Sequence, residues 1–225
     1  MESLKLTNIV KRFGDLTVLD GLSVELPLTG ITFVVGKSGS GKSVLCRLAV
    51  GLLKPDEGTV ELLGERVDQL PERRLVALRA RVPYLVQGPA LLDWLTLEAN
   101  VALAGKGSAN PSRVSRALEQ MGLHALKDRF PPQVGPGIRK RTAIARALVL
   151  EPTCLLLDEP TTGLDLVAAG QVNEALEAVR AAGLGAVVVS HDYAALERLA
   201  DRVVEVRQGA IGYQGGKTGF LNAPK

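Results

Sequence analysis

Leu22, Val24 and Leu26 alternate with polar neighbours, the pattern of a half-buried strand. Leu4, Leu6 and Ile9 open a similar segment ending near Val10, and Phe13-Gly14 marks a turn. Four short apolar runs are nearly continuous and read as buried strands: Ile31-Thr32-Phe33-Val34-Val35, Cys154-Leu155-Leu156-Leu157, Ala186-Val187-Val188-Val189 and Val203-Val204-Glu205-Val206. Residues 59–63 and 82–86 predict two more. Between these runs the period changes to that of helices, over 72–79, 166–182 and 193–200. From residue 89 to about 150 the apolar positions recur at helical spacing throughout, as at Val114, Leu118 and Met121, and no strand pattern interrupts them. Alternating strands and helices predict a parallel sheet with helices packed on it. The helical stretch predicts a lobe, residues 88–138, inserted between strands. Its most flexible connection is the run from Gly105 to Pro111, where Asn110-Pro111 starts the next helix. Gln208-Gly209 predicts a hairpin, and the residues from 215 onward read as a frayed tail.

One polar stretch interrupts this pattern where chemistry is expected. Gly36-Lys37-Ser38-Gly39-Ser40-Gly41-Lys42-Ser43 fits G-x-x-x-x-G-K-[ST], with an apolar, β-branched strand before it and a breaker-free helical run after it. Glycines there let the backbone turn its N–H groups toward a phosphate, and the helix N-terminus adds partial positive charge. Lys42 is expected to reach the β- and γ-phosphates of a nucleotide, and the Ser43 hydroxyl to ligate Mg²⁺. A glycine-rich turn that merely matches is the alternative, and the strand and helix on either side argue against it.

Composition narrows the class. In 225 residues, 46% are hydrophobic and only 4% aromatic, so the core is aliphatic. A net charge of +3 with no Lys/Arg block of five or more gives no footprint for nucleic acid. Cys46 and Cys154 both lie in apolar runs and read as small buried hydrophobes of a reduced compartment. No signal-peptide pattern opens the chain, and no apolar run approaches the roughly 18 residues a membrane span requires. A cytoplasmic location is expected, on a membrane only through a partner.

Further polar groups fall at strand ends. Leu155-Leu156-Leu157 runs into Asp158-Glu159. Asp158 is expected at the mouth of the phosphate loop, holding the Mg²⁺ shell, and Glu159 beside the γ-phosphate, orienting and polarising the attacking water. Two acids closing a strand also occur without function. Gln87 ends a strand at the lobe boundary, from which it can reach metal and water. His191 follows Val187-Val188-Val189-Ser190 and can donate to a γ-phosphate oxygen; the competing reading is a surface histidine beside Asp192 at a helix start.

With these residues in order, nearly the whole chain, residues 3 to about 214, resembles the ATPase subunit of ATP-binding cassette (ABC) transporters. The resemblance rests on residues 36–43, Gln87, residues 155–159, Gly163-Leu164-Asp165 and His191, and on Arg139-Lys140-Arg141-Thr142-Ala143-Ile144-Ala145-Arg146-Ala147-Leu148, which looks like the helix following the family signature. It implies an α/β fold of the P-loop NTPase type: a mainly parallel sheet core, an N-terminal antiparallel β subdomain and an inserted α-helical lobe. Residues 1–87 and 139–214 would form the nucleotide-binding core. It further implies ATP and Mg²⁺ as ligands, Phe13 stacked on the adenine, and a head-to-tail dimer. In that dimer Val134, Gly135, Gly137 and Asp165 would face the nucleotide of the second ATPase subunit. The segment 87–95 would meet a transmembrane permease.

The family signature is Leu-Ser-Gly-Gly-Gln, whereas this chain has Val134-Gly135-Pro136-Gly137-Ile138. A serine hydroxyl is replaced by Gly135, and Pro136 has no backbone N–H to donate. Either the subunit hydrolyses slowly, or the remaining amides suffice. Lys42, Glu159 and His191 are present, which favours a working ATPase of reduced rate. A nucleotide-binding subunit without turnover is the reading of a different class, as is a soluble ABC ATPase acting on DNA or ribosomes. Ser43-Val44-Leu45, Gly51-Leu52-Leu53-Lys54-Pro55-Asp56, Arg139-Lys140-Arg141 and Pro160-Thr161-Thr162-Gly163-Leu164-Asp165 together resemble the ATPases of Mla/MCE-type transporters. That implies lipid transport with MCE-type carrier partners. Another importer or a lipoprotein-type exporter would use the same engine.

Hydrogen bonds to charged groups contribute about 1.5–3 kcal/mol each. Restoring the signature with Gly135→Ser and Pro136→Gly is therefore expected to raise ATP turnover by about ten- to a hundredfold. Steady-state phosphate release by the assembled transporter measures this; an unchanged rate contradicts it.

Overall fold

The computed structural model describes residues 2–105 and 110–223. The predicted flexible run from 105 to 111 therefore falls largely outside the described residues.

Two sheets organise the chain. The first is antiparallel, in the order β2 (Leu16–Pro27), β1 (Ser3–Phe13), β4 (Glu57–Leu62), β5 (Glu65–Arg66). The second has the order β10 (Ala210–Gly216), β9 (Arg202–Arg207), β3 (Ile31–Val35), β8 (Gly185–Val189), β7 (Cys154–Asp158), β6 (Tyr84–Leu85). Its strands pair in parallel except β10, which runs antiparallel beside β9. The nearly continuous apolar runs form its centre, since a strand covered on both faces needs apolar residues at every position. The expected fold class is the one observed.

Alternation within these runs divides the core in two. On one face Val34, Leu156, Val187, Val189 and Val204 pack against α1 (Lys42–Ala49) and the inner face of the antiparallel sheet. On the other, Ile31, Phe33, Leu155, Leu157 and Val188 pack against helices, among them α5 (Pro136–Leu148), α6 (Leu166–Ala181) and α7 (Tyr193–Leu199). The layers are thus antiparallel sheet, α1, parallel sheet and outer helices. α2 (Glu72–Arg81) closes the first core through Leu75 and Leu78.

The lobe is helical as its periodicity predicts, with α3 (Leu97–Ala102), α4 (Pro111–Gln120) and short 3-10 turns. Asn110 caps α4 and Pro111 occupies its first turn. Buried Asn100 orders the segment leading into the lobe. Its Oδ1 accepts the Leu92 N–H at 2.8 Å, and its Nδ2 donates to the carbonyls of Leu92, Leu95 and Thr96 at 3.0–3.1 Å.

Two boundaries differ from expectation. α5 begins at Pro136, so the division at 138/139 falls inside one continuous helix. Proline is favoured in a first helical turn, where its missing N–H has no partner to lose. The expected tail from 215 is ordered instead. Gly215 and Gly216 pair with Val203 and Arg202, and α8 (Lys217–Leu221) follows. Phe220 packs on Tyr213 with ring centroids 5.3 Å apart, and Lys217 Nζ donates to the Glu197 carbonyl at 2.7 Å. These contacts are made across sequence distance and leave no local period.

Asn100→Leu keeps the side-chain volume but strands buried backbone groups, each costing about 1–3 kcal/mol when unpaired. Urea unfolding is expected to show a loss of about 2–4 kcal/mol, together with faster proteolysis within residues 88–96.

Candidate nucleotide site

The strands of the parallel sheet bring their C-terminal ends to one edge, where ligands of such sheets bind. Between β3 and α1, Gly36, Gly39 and Gly41 adopt φ of +150°, +78° and +103°. A Cβ on Gly41 would stand 2.5 Å from Leu19 Cδ2 and 3.2 Å from the Val18 carbonyl oxygen. Glycine at 41 thus serves both the left-handed turn and the packing of β2 on the loop. Gly41 is also the N-cap of α1 and offers no side-chain acceptor, so the first-turn amides are left to an anionic ligand. Lys42 is buried, and its Nζ donates to the carbonyls of Gly36 and Lys37, both at 2.9 Å. The ammonium is thereby held over the loop with donor capacity to spare.

Ser43 and Asp158, the expected metal pair, are brought together. Ser43 Oγ donates to Asp158 Oδ1 at 3.0 Å, and Asp158 is only 4% exposed. Tyr84, which the sequence did not single out, donates its hydroxyl to Asp158 Oδ2 at 2.7 Å. Mg²⁺ takes one or two protein oxygens and fills its octahedron with water and phosphate oxygens. A hydroxyl and a carboxylate at the foot of a phosphate loop fit that donor set. Ser43 and Asp158 would hold the ion, and its chemistry there is neutralisation of phosphate charge.

Glu159 and His191 also converge. Glu159 Oε2 lies 2.8 Å from His191 Nδ1 and accepts from Thr162 Oγ1 at 2.9 Å. The Glu159 backbone is left-handed at φ +51°, an uncommon conformation for a side-chain-bearing residue, and its N–H is tied to the Val189 carbonyl at 2.8 Å. The strain turns the side chain away from the line of β7, beside Asp158 but aimed at His191. The His191 side chain is 67% exposed and that of Glu159 17%, so the pair opens outward. A carboxylate shared between a histidine and a threonine hydroxyl is oriented and can accept a proton from water.

Other candidates contribute no side-chain hydrogen bond to this cluster. The Gln87 side chain is exposed and makes none of these hydrogen bonds; its carbonyl is instead bound by Lys140 Nζ, which also donates to the Glu159 carbonyl at 3.3 Å. Burial lowers the Lys140 pKa from its ordinary value. Phe13 is half exposed at the β1–β2 hairpin, with Lys11 Nζ 5.4 Å from its ring centroid. Its hairpin partner Leu16 lies two residues from Val18, which packs against Gly41. Val134, Gly135 and Gly137 lie where α5 begins, with Gly135 as its N-cap. There a Cβ on Gly137 would come within 2.9 Å of Ala168 Cβ in α6. Asp165 caps α6 by accepting the Ala168 N–H at 2.8 Å. α5 and α6 pack on the opposite face of the parallel sheet from α1.

The ABC transporter family matches residues 19–162, well over half of the chain. The glutamate transport ATP-binding protein GluA of Corynebacterium glutamicum is 35% identical over 230 residues, covering 99% of this chain and 94% of that protein. Sulfate/thiosulfate, methionine and aliphatic sulfonate import ATP-binding proteins are 35–37% identical, and the chain spans 59–69% of their length. Among solved structures, a dimeric ATP-binding cassette in a post-hydrolysis state with ADP and Pi is 25% identical, with a TM-score of 0.84, covering 95% of this chain and 98% of that one. CbiO1 of Clostridium perfringens, part of the ABC transporter complex cbiONQ, is 26% identical with a TM-score of 0.89, covering 98% and 91%.

Gly41→Ala places a Cβ against Leu19 at a φ that costs a non-glycine residue about 1–3 kcal/mol. Titration with a fluorescent ATP analogue is expected to show affinity at least about tenfold weaker, with the far-ultraviolet circular dichroism spectrum retained.

Proposed function

The chain belongs to the ABC transporter family, and on that premise we propose that it is the ATP-hydrolysing subunit of a membrane importer for a small solute. It is an ATPase, and the observation that carries its chemistry is the meeting of Ser43–Asp158 and Glu159–His191 at one sheet edge beside Lys42. Lys42 and the amides of the loop, residues 36–43, take the β- and γ-phosphates. Ser43 and Asp158 hold Mg²⁺. Glu159 orients and deprotonates the attacking water, with His191 steadying it and reaching the γ-phosphate. Gln87 approaches from the lobe boundary when the site closes, which requires its segment to shift from the position held by Lys140. Phe13 stacks on the adenine.

A second ATPase subunit completes the site. Its Val134, Gly135, Gly137 and Asp165 face this chain's nucleotide, in keeping with a segment whose helix packs on the face of the sheet opposite α1 and with the dimeric cassette among the similar structures. The permease docks on the segment 87–95. An apolar groove of about 310 Å³ supports this, lined by Val86, Pro89, Ala90, Leu103, Ala147 and Leu150. Trp94, on the same segment, is 73% exposed. Among the described residues no helix is long and apolar enough to cross a membrane. Attachment to the inner face through the permease follows from this reading. The cassette keeps a nucleotide-binding core, residues 1–87 and 139–214, and a lobe of 88–138, with the lobe's C-terminal bound moved back to the start of α5 at Pro136 and the core extended through α8.

The relatives' names favour import of small polar solutes. Lipid transport with an MCE-type carrier rests on sequence resemblance alone. Affinity purification of the tagged chain from solubilised membranes of its host distinguishes the two. Recovery of a permease with a solute-binding partner is expected. An MCE-type carrier in its place overturns the importer reading, and recovery on ribosomes or DNA overturns transport altogether.

Two substitutions separate chemistry from docking. Glu159→Gln is expected to lower steady-state ATP turnover at least about a hundredfold while nucleotide binding persists. Leu103→Glu puts a charge in the apolar groove and is expected to abolish permease recovery without changing nucleotide affinity.

A further inference from the structure

We propose that Tyr84 is a positioning residue for the metal site: its hydroxyl fixes the Asp158 carboxylate so that Oδ1 is presented beside Ser43. This rests on the reading of Ser43 and Asp158 as the Mg²⁺ ligands.

The placement follows from sheet register. β6 and β7 are parallel, and Tyr84 stands opposite Leu156. Side chains alternate with period two, so Leu156 and Asp158 share a face, and Tyr84 shares it with them. Tyr84 is half-buried against the core that contains Leu156, Cys46 and Leu45. A phenol is long enough to reach from the Leu156 level to the carboxylate two residues on, and its hydroxyl donates to Oδ2 at 2.7 Å. Oδ1 accepts from Ser43 at 3.0 Å. Each carboxylate oxygen thus has its own donor, and the plane of the group is fixed from both sides. A phenol carries its proton at physiological pH, so the hydroxyl is a donor to the carboxylate. Arg47 lies beside the same hydroxyl. When the Ser43 hydroxyl turns to a metal, Tyr84 is the donor that still holds the carboxylate in place. Partners of ligating carboxylates are what orient them toward a metal, and their loss typically weakens metal affinity about ten- to a hundredfold.

The test compares Tyr84→Phe, Tyr84→His and Asp158→Asn in the full-length protein. Affinity for a fluorescent ATP analogue is titrated in EDTA and across a Mg²⁺ series. Tyr84→Phe is expected to leave binding in EDTA within about twofold of the parent, and to raise the Mg²⁺ concentration for half-maximal enhancement about ten- to a hundredfold. Tyr84→His, which retains a ring donor, is expected to recover part of the shift. Asp158→Asn is expected to remove the Mg²⁺ enhancement. An unchanged Mg²⁺ midpoint in Tyr84→Phe, with the enhancement lost in Asp158→Asn, overturns the role of Tyr84 and leaves the metal reading intact. An Asp158→Asn protein with the parent's Mg²⁺ response overturns both. Equal weakening with and without Mg²⁺ in Tyr84→Phe also overturns the proposal, since general damage to the fold then accounts for it.

Discussion

A carboxylate shut away from water has to be surrounded by donors, and Asp158 is the point at which this constraint acts. Desolvating an anion costs several kcal/mol unless hydrogen bonds and opposite charge replace water. Asp158 meets the constraint by closing β7 with three elements around it: α1 supplies Ser43, β6 supplies Tyr84 and the adjoining β8 ends beside it. None can move independently. Ser43 is fixed because the loop before α1 is shaped by Gly36 and Gly41, and Gly41 in turn abuts β2 of the other sheet. A single buried charge therefore locks the phosphate loop, the central sheet and the edge strand into one arrangement. Glu159 then occurs where the chain must leave the strand, and its left-handed backbone turns it toward His191.

Much of this was legible in local pattern. Continuous apolar runs marked the buried strands because both faces of the central sheet are covered, and alternation marked β1 and β2 because one face is solvated. The phosphate loop, Asp158, Glu159 and His191 all sit at strand ends, where sequence pattern changes abruptly. Tyr84 was not legible in that way. Its role depends on β6 pairing with β7 at a given register, over 70 residues away. Had that register been assumed, the period of two would have put a tyrosine hydroxyl over Asp158. Lys140 bonds across 53 and 19 residues to Gln87 and Glu159, again beyond any local pattern, whereas Thr162 and Asn100 bond to neighbours three to eight residues away through turns that no period marks. The helix α8 was read as tail because it is short and its apolar content is nearly confined to Phe220 and Leu221.

The Gly135-Pro136 start of α5 is readily understood as helix chemistry. Glycine at the N-cap is only a few tenths of a kcal/mol worse than serine, and proline in the first turn is preorganised for helix. Gly135-Pro136 thus begins α5 as well as Ser-Gly would. Gly137 is retained where a side chain would strike Ala168 of α6. Compared with Ser-Gly, Gly135-Pro136 lacks a hydroxyl and one amide at this exposed helix start. The fold is indifferent to that loss; only a ligand on the outer side can register it. The structural requirement and the chemical requirement at this helix start are separable, and this chain keeps the first.

α5 is also where the rest of the machinery is tied together. Its 13 residues run from that outward-facing start, past Lys140, to Arg146. Lys140 binds the carbonyls of Gln87 and Glu159, while Arg146 donates to the carbonyls of Pro89 and Ala90 at 3.2 and 2.8 Å. The segment after Gln87 is therefore fastened to α5 twice, and Glu159 once. A helix of this length is stiff, so the segment cannot travel toward the phosphate loop while α5 stays still unless both sets of contacts open. Opening them would leave the Lys140 ammonium, already lowered in pKa by burial, without its carbonyl partners. Movement of α5 together with the segment keeps the bonds to Gln87, Pro89 and Ala90 and carries the Gly135-Pro136 start of α5 along. Tyr84 adds the shortest connection of all. The residue borders the apolar groove, and its hydroxyl, on the α1 side of the sheet, holds Asp158.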